Sequence, residues 1–386
     1  MKKSLIAAAL LGTFAASAFA APSVTLYGRI DTSLAYTHLN ADKAGVDSTD
    51  TVSMESGFST GNRWGLKGTE DIGNAKVGFV LESGFNSDDG ASGQGGRLFG
   101  REAQVNVSGA YGTLYAGRIA SVVSDSGSIG YLGDVSAFPN AFGFVGTQAG
   151  STGSAYGRYD NTLAYQTPVY SGLQAAAMYS FKADGTSKVG TENKADADRY
   201  AAAALRYKAG KAAVVLAGDY TLYSNTTYKD LDNGYSVILG GNYDFGVAKV
   251  FAKATYFDNQ ASITDSFSII KDTRTVVAAL AEEGENVTLA RAFKGWGAEL
   301  STAVPAFGGT VLATVGYRDA KDVDNSNVKL KRWNAALGYA YAFSKRTSVY
   351  AAAGYAQEKG TGSDEGVSAT IKGSGAQAGF GLVHKF

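Results

Sequence analysis

Few residues of this 386-residue chain could do covalent or metal chemistry: it has no cysteine and only two histidines, His38 and His384. A metal centre built from histidine and cysteine therefore lacks donors. Gly57-Phe58-Ser59-Thr60-Gly61 matches the G-x-S-x-G string of a serine nucleophile, but no strand-to-helix elbow is expected there. His384 falls on the outward face of the last strand and His38 at a loop edge, so neither completes a triad. Asp319, Asp322, Asp324 and Asn325 cluster in a loop, where solvated acids are a better reading than calcium ligands. Gly90, Gly93, Gly95 and Gly96 lack the strand-helix setting of a nucleotide fingerprint. These residues point to no enzyme, no cofactor and no metal. What remains is charge, and its use depends on which way each charged side chain faces.

The elements that set those directions repeat with period two. From Ser23 to Tyr36, Val24, Leu26, Ile30 and Leu34 share one face with Gly28, while Thr25, Tyr27, Arg29, Asp31 and Ser33 share the other. The pattern recurs in about sixteen segments, starting near residues 23, 61, 75, 97, 112, 158, 171, 198, 211, 233, 247, 293, 308, 329, 346 and 374. In the last of them, Ala378, Phe380, Leu382, His384 and Phe386 face one way and Gln377, Gly379, Gly381 and Lys385 the other. Short connections such as Asp71-Ile72-Gly73-Asn74 and Lys208-Ala209-Gly210-Lys211 alternate with long polar loops at Asn40–Gly61, Ile119–Gly157, Phe181–Asp198 and Asn259–Ala292. Pro168 and Pro305 are read as turn residues.

Residues 1–20 read as a signal peptide, with Lys2 and Lys3 before an apolar run and Ala18-Phe19-Ala20 as the cleavage site. No later stretch reaches the roughly 20 apolar residues a transmembrane helix needs. With 35 basic and 35 acidic residues the chain shows no basic excess for a nucleic-acid partner. The 50 glycines, 23 tyrosines and 19 phenylalanines beside only 4 prolines suit many short strands with tight turns. Aromatics close the apolar face of many strands, among them Tyr36, Phe85, Tyr179, Tyr256, Tyr339, Tyr341 and Phe386, as in the girdles of a membrane barrel. The expected fold is all-β: residues 21–386 as one transmembrane antiparallel β-barrel of about 16 strands, with short periplasmic turns and long extracellular loops.

The sequence resembles the general diffusion porins of Gram-negative bacteria, in particular the β-proteobacterial type. The resemblance rests on Ser23-Val24-Thr25-Leu26-Tyr27-Gly28-Arg29, Arg63-Trp64-Gly65-Leu66-Lys67-Gly68-Thr69-Glu70-Asp71, Tyr115-Ala116-Gly117-Arg118, Arg158-Tyr159-Asp160-Asn161-Thr162 and the terminal phenylalanine. It implies an outer-membrane homotrimer of sixteen-stranded barrels passing small hydrophilic solutes and ions, with the 119–157 loop folded into each channel. It also implies that a last strand carrying Phe380, Leu382 and Phe386 is read by the barrel-assembly machinery. Outer-membrane lipid is the remaining expected partner. The alternative is a barrel whose long loops bind a host or phage.

A pore selects by width and lining charge. Alternation turns Arg29, Arg63, Lys67 and Arg158 inward, and the three arginines are similar in position to the family's basic cluster. Arg101 matches another member of it, yet alternation with Ala103, Val105 and Val107 points it outward unless a bulge intervenes. The expected acidic side is Asp125 and Asp134 on the loop, with Glu82 and Glu102 on the wall. Asn140 follows Pro139, where some relatives carry a glutamate, and this tilts the expectation towards weak anion preference.

Overall fold

A computed structural model describes residues 23–42, 48–138, 142–143, 157–229, 231–261, 292–364 and 367–386. The expected signal peptide lies outside them, as do Pro139 and Asn140.

The described chain forms one 17-stranded antiparallel sheet closed on itself. In order the strands are β1 (Ser23–Asp42), β2 (Thr49–Ser56), β3 (Arg63–Asp71), β4 (Lys76–Gly84), β5 (Glu102–Gly109), β6 (Gly112–Ala120), β7 (Arg158–Gln166), β8 (Leu173–Ser180) and β9 (Arg199–Ala209). They continue as β10 (Ala212–Leu222), β11 (Gly234–Asp244), β12 (Lys249–Gln260), β13 (Phe293–Ala306), β14 (Gly309–Asp322), β15 (Lys329–Ala342), β16 (Thr347–Asp364) and β17 (Val367–Lys385). Each pairs with its sequence neighbour except β2 and β3, which both pair with β1, and β1 closes the ring on β17 from Arg29↔Lys385 to Asp42↔Lys372. Closure leaves no open edge, as a strand-built membrane span requires.

β2 and β3 are two halves of one stave. Both run antiparallel to β1, β2 against Thr32–Leu39 and β3 against Ser23–Arg29. Between them residues 57–62 leave the ladder, with only Ile30 and Asp31 opposite, so the barrel has sixteen staves. This corrects the reading of Asn40–Gly61 as all loop. Alternation was present in Val52 and Met54, but strongly polar neighbours obscured it. β16 and β17 also run further than expected, through Gly/Ser/Thr-rich sequence at 360–373. With so few apolar side chains there, the period has little to show it. Pro305 is the penultimate residue of β13, not a turn residue.

The faces follow from the pairing. Val24, Leu26, Ile30, Leu34, Val214, Leu216, Val237, Leu239, Val315 and Leu337 point outward and are exposed. Their neighbours Asp31, Ser33, Ser236, Glu299, Thr314 and Asn334 point inward and are buried. The outside is thus apolar and much of the inside polar, the inverse of a water-soluble barrel. The short turns carry exposed aromatics: Tyr111, Tyr170, Phe245, Phe307 and Phe343. Between β13 and β14, Phe307 and Gly308 both take positive φ (53° and 77°), the two-residue turn that matches strand twist. At the seam, Gly28 and Phe386 exchange backbone hydrogen bonds of 3.0 and 3.1 Å.

Candidate functional site

The connection leaving β6 turns into the barrel. Its described part, 121–138 and 142–143, carries Val122, Val123, Ile129, Tyr131, Leu132, Val135, Phe138 and Phe142, all buried. The inner wall that receives them is apolar here. Ala164, Ala176, Met178, Ala202, Ala204, Val215, Ala217 and Ile238, on β7 to β11, form one cluster with Val122 to Val135. Gly240 leaves room for the loop, since a Cβ there would lie 2.9 Å from Val135. The loop then crosses the lumen. Ser136 Oγ donates to Glu299, and Ala137 N donates to Ser301 Oγ at 2.9 Å, both on β13. Beyond them Phe138 and Phe142 join Phe58, Ala336, Tyr350, Ala352 and Ala35 in a second cluster on β15 to β17 and β1.

Residues 57–62 are the far anchor of that loop. They project inward around the buried Asp31 carboxylate, which accepts from Ser59 N (2.9 Å), Thr60 N (2.7 Å) and Tyr350 OH (2.6 Å). Asn62 Oδ1 accepts from Asp31 N. Phe142 N then donates to Phe58 O at 2.6 Å, and the Phe58 ring meets Phe142 edge-on and stacks with Tyr350. Ser59 of the G-x-S-x-G string is a structural member of this turn.

The arginines gather beside the anchor. Arg29 Nη1 and, at 3.4 Å, Arg63 Nη2 donate to Thr60 Oγ1, and Arg63 Nε donates to Gly61 O at 3.1 Å. Arg101 Nε meets Glu82 Oε1 at 2.6 Å, and Arg63 lies 4.0 Å from the same oxygen. Arg158 Nη2 donates to Ser126 Oγ of the loop at 3.4 Å. Arg101 and Arg158 are both electrostatic neighbours of Arg63. Lys67 is exposed, with its ammonium 5.1 Å from the centre of the Tyr27 ring.

Arg101 faces inward and is 5% exposed, against simple alternation. Its backbone N donates to Glu82 O, while Glu102 is the register partner of Glu82. Two residues thus oppose one, which is a bulge and turns Arg101 to the side of Glu102.

Each of the four expected carboxylates sits beside a specific neighbour on the wall or the loop. Glu82 lies within the basic group and accepts from Arg101 and from Tyr27 OH (3.0 Å). Glu102 ties the loop to the wall, accepting from Ser128 N (2.7 Å) and Ser128 Oγ (2.6 Å). Asp134 is paired with Lys208 at 2.8 Å and Arg206 at 3.4 Å. Asp125 is an electrostatic neighbour of Lys253, itself 3.6 Å from Glu299. Loop and wall need these attachments because a polar group left unpaired in a packed lumen is costly.

Several charged groups here gave no sequence signal. Arg118 and Arg97 both bind Asp160, at 2.6 and 2.7 Å, and Arg97 reaches on to Asp184. Arg318 and Arg332 share Glu358 at 3.1 and 3.2 Å. Tyr159 stacks on Tyr200 at 3.6 Å, and Tyr200 bonds Ser121 and Asp219. Alternation marks Tyr200, Asp219, Arg318, Arg332 and Glu358 as inward but puts Arg118 and Tyr159 on the outward faces of Leu114 and Leu163. The register shift between Gly117 and Ile119 breaks that parity, and nothing in one strand names its partner on another. Asp319 pairs with Lys331, Asp322 accepts from Asp324 N and Asn325 N, and among the described residues no acidic group is arranged to hold a metal.

Phe380, Leu382 and Phe386 all project outward and are exposed.

Comparison with known proteins follows the same lines. A family model described as Gram-negative porin matches residues 7–361. An outer membrane porin protein of Bordetella pertussis is 36% identical over 92% of this chain and 94% of its own length. Outer membrane porin protein 32 of Delftia acidovorans is 32% identical over 98% and 96%. Among solved structures, an anion-selective porin from Comamonas acidovorans superposes with a TM-score of 0.63 at 25% identity, covering 95% of this chain and 100% of that one.

Proposed function

Because the chain belongs to the Gram-negative porin family, we propose that its lumen is a water-filled path for small hydrophilic solutes and ions with a preference for anions. The protein resides in the outer membrane and, like its relatives, is a channel and not an enzyme. The observation that carries the anion preference is the gathering of Arg29, Arg63, Arg101 and Arg158, with three acids, Asp31, Glu82 and Glu102, as their charged neighbours. Lys67 extends the positive wall towards the short-turn end. Asp125 and Asp134 add little opposing field, being already beside Lys253 and the Arg206–Lys208 pair. In a narrow, low-dielectric passage such an excess raises the local anion concentration. The anion-selective title of the Comamonas neighbour supports the same sign.

The 119–157 loop is the constriction in this reading, since its described part occupies the lumen beside the arginines. The assembled unit is a homotrimer in lipid, and Phe386 with Phe380 and Leu382 is the signal read by the barrel-assembly machinery. Removal of residues 1–20 accompanies export. The deciding experiment is a planar-bilayer reversal potential across a potassium chloride gradient. A potential of the sign set by chloride is expected, and a potassium-selective channel overturns the preference. A purified protein with no conductance overturns the pore itself. Gel migration before and after boiling tests the trimer, through a heat-labile band near three times the protomer mass.

A further inference from the structure

We propose that Thr60 is the positioning residue of the basic group: its hydroxyl holds Arg29 and Arg63 side by side and so sets how strongly the passage favours anions. The inference rests on the anion-selective reading of the channel, since it assigns a residue to that preference.

The ladder creates the need for such a residue. Arg29 and Arg63 are register partners, the last pair that β1 and β3 make before residues 57–62 leave the sheet. Like charges directly opposed on adjacent strands repel. Arginine side chains also have the rotamer freedom to swing apart. Arg101 and Arg158 are each fastened by a partner of their own, Glu82 on the wall and Ser126 on the loop. Arg29 depends on Thr60. Among the described residues its guanidinium donates to one acceptor, Thr60 Oγ1, at 2.5 Å. Arg63 Nη2 reaches the same oxygen at 3.4 Å, while its Nε donates to Gly61 O. A hydroxyl oxygen offers two acceptor sites. Here arginines from two strands take both.

The hydroxyl is free for this work because the backbone does the anchoring. Thr60 N donates to Asp31 Oδ2 at 2.7 Å, and Ser59 N donates to the same oxygen at 2.9 Å. Tyr350 OH donates to the other carboxylate oxygen at 2.6 Å, and the Tyr350 ring stacks with Phe58. Residues 57–62 are therefore clamped by a buried acid and a ring. Their one contact with the arginine side chains besides Gly61 O is the Thr60 hydroxyl.

The direction of the effect follows from what lies within reach of each guanidinium. Arg63 Nη1 is 4.0 Å from Glu82 Oε1, and Asp31 is a charged neighbour of Arg29 on its own strand. Released from Thr60, each guanidinium can close on an acid. An arginine paired that way adds less positive potential to the lumen than one held apart from its acid. Thr60 thus keeps two of the four arginines turned from the carboxylates beside them.

The test uses the full chain, purified as assembled channels. Reversal potentials in a potassium chloride gradient give the chloride-to-potassium permeability ratio. Thr60→Val keeps the branched shape and the N–H to Asp31 but loses the acceptor. Its ratio should fall by roughly two- to threefold, because cleft potentials are of order kT and a change of one kT is a factor of about 2.7. Thr60→Ser should restore the wild-type ratio. In a background of Arg29→Gln with Arg63→Gln, adding Thr60→Val should change nothing further. An unchanged ratio in Thr60→Val, a Thr60→Ser as low as Thr60→Val, or a further fall in the arginine-free background each overturns the proposal. If Thr60→Val does not assemble, Thr60→Ala is read in the same way. Nitrogen-15 NMR of the same samples in detergent gives a readout that needs no current. The Arg29 guanidinium hydrogens should exchange with water faster in Thr60→Val than in wild type or Thr60→Ser, and equal rates overturn the positioning role. The two readings fail separately: a cation-selective wild type whose ratio still falls in Thr60→Val sinks only the anion preference, and an anion-selective one indifferent to Thr60→Val sinks only the role of Thr60.

Discussion

The ring of Phe386 lies over the Cα of Gly28, in the space a side chain on Gly28 would fill. The two residues also exchange backbone hydrogen bonds, so the last residue of the chain is stitched to the first strand at the closing seam. Removing Phe386 loses both bonds, each worth about 1 kcal/mol. Gly28→Val keeps the phenylalanine but displaces its ring. Both changes should lower the yield of heat-modifiable folded protein while leaving the conductance of assembled channels unchanged. Undiminished yield from both would show the seam to be dispensable.

Arg101 and Glu82 form a nearly buried pair, so breaking it from one side differs from replacing it. Arg101→Gln should shift the reversal potential towards cations and destabilise the barrel by about 1–3 kcal/mol, since Glu82 loses its strongest donor. Adding Glu82→Gln should recover much of that stability and return part of the anion preference. Denaturant unfolding of the single and double variants, read beside their reversal potentials, checks both halves.

Phe58→Ala should loosen the loop. Core phenylalanine truncations cost about 3–5 kcal/mol, and this one removes the ring that meets both Phe142 and Tyr350. The expected channel has a noisier open state and closes at lower applied voltage, with its sign of selectivity intact. A quiet, wild-type trace would mean that the loop is held by its near-side packing alone.

Asp184 lies in the 181–198 connection, outside the spanning strands. Burial acts to raise its pKa, but hydrogen bonds from Thr186 and the charge of Arg97 outweigh this and hold it below the usual range. A lowered folded pKa gives stabilisation that is full above the unfolded value, about 3.9 for aspartate, and lost as pH falls through the folded one. The tie from Arg97 to Asp184 should therefore persist at pH 5 and release only in stronger acid. Hydrogen exchange of residues 183–187 reports it, and loosening already between pH 7 and 5 would contradict the pairing.

Alternation made the barrel legible because lipid on one side and a polar lumen on the other impose period two on each stave. It failed where that contrast ends. In Thr49–Ser56 only Val52 and Met54 mark the outer face among polar neighbours, and the upper parts of β16 and β17 are Gly/Ser/Thr-rich, so both looked like loop. Direction was legible for Arg29, Arg63 and Lys67, which lie within regular strands. Arg101 needed the bulge at Glu82, a backbone event that its own side chain does not announce. The acids were found but their work was not. Whether Glu82 faces Arg101 or an opposite wall depends on a neighbouring strand, and whether Asp134 is exposed or paired depends on Arg206 and Lys208, some seventy residues away.

The loop that crosses from the β7–β11 wall to the β15–β1 wall also has a mechanical consequence. A thin-walled tube resists stretching along its hydrogen bonds far better than it resists flattening. A strut glued to both sides by apolar packing opposes flattening along its own line. The aperture beside the arginines and the roundness of the tube are then governed by one member. Sideways squeezing by the surrounding lipid, or by neighbouring protomers, must compress that strut before it can change what the channel admits.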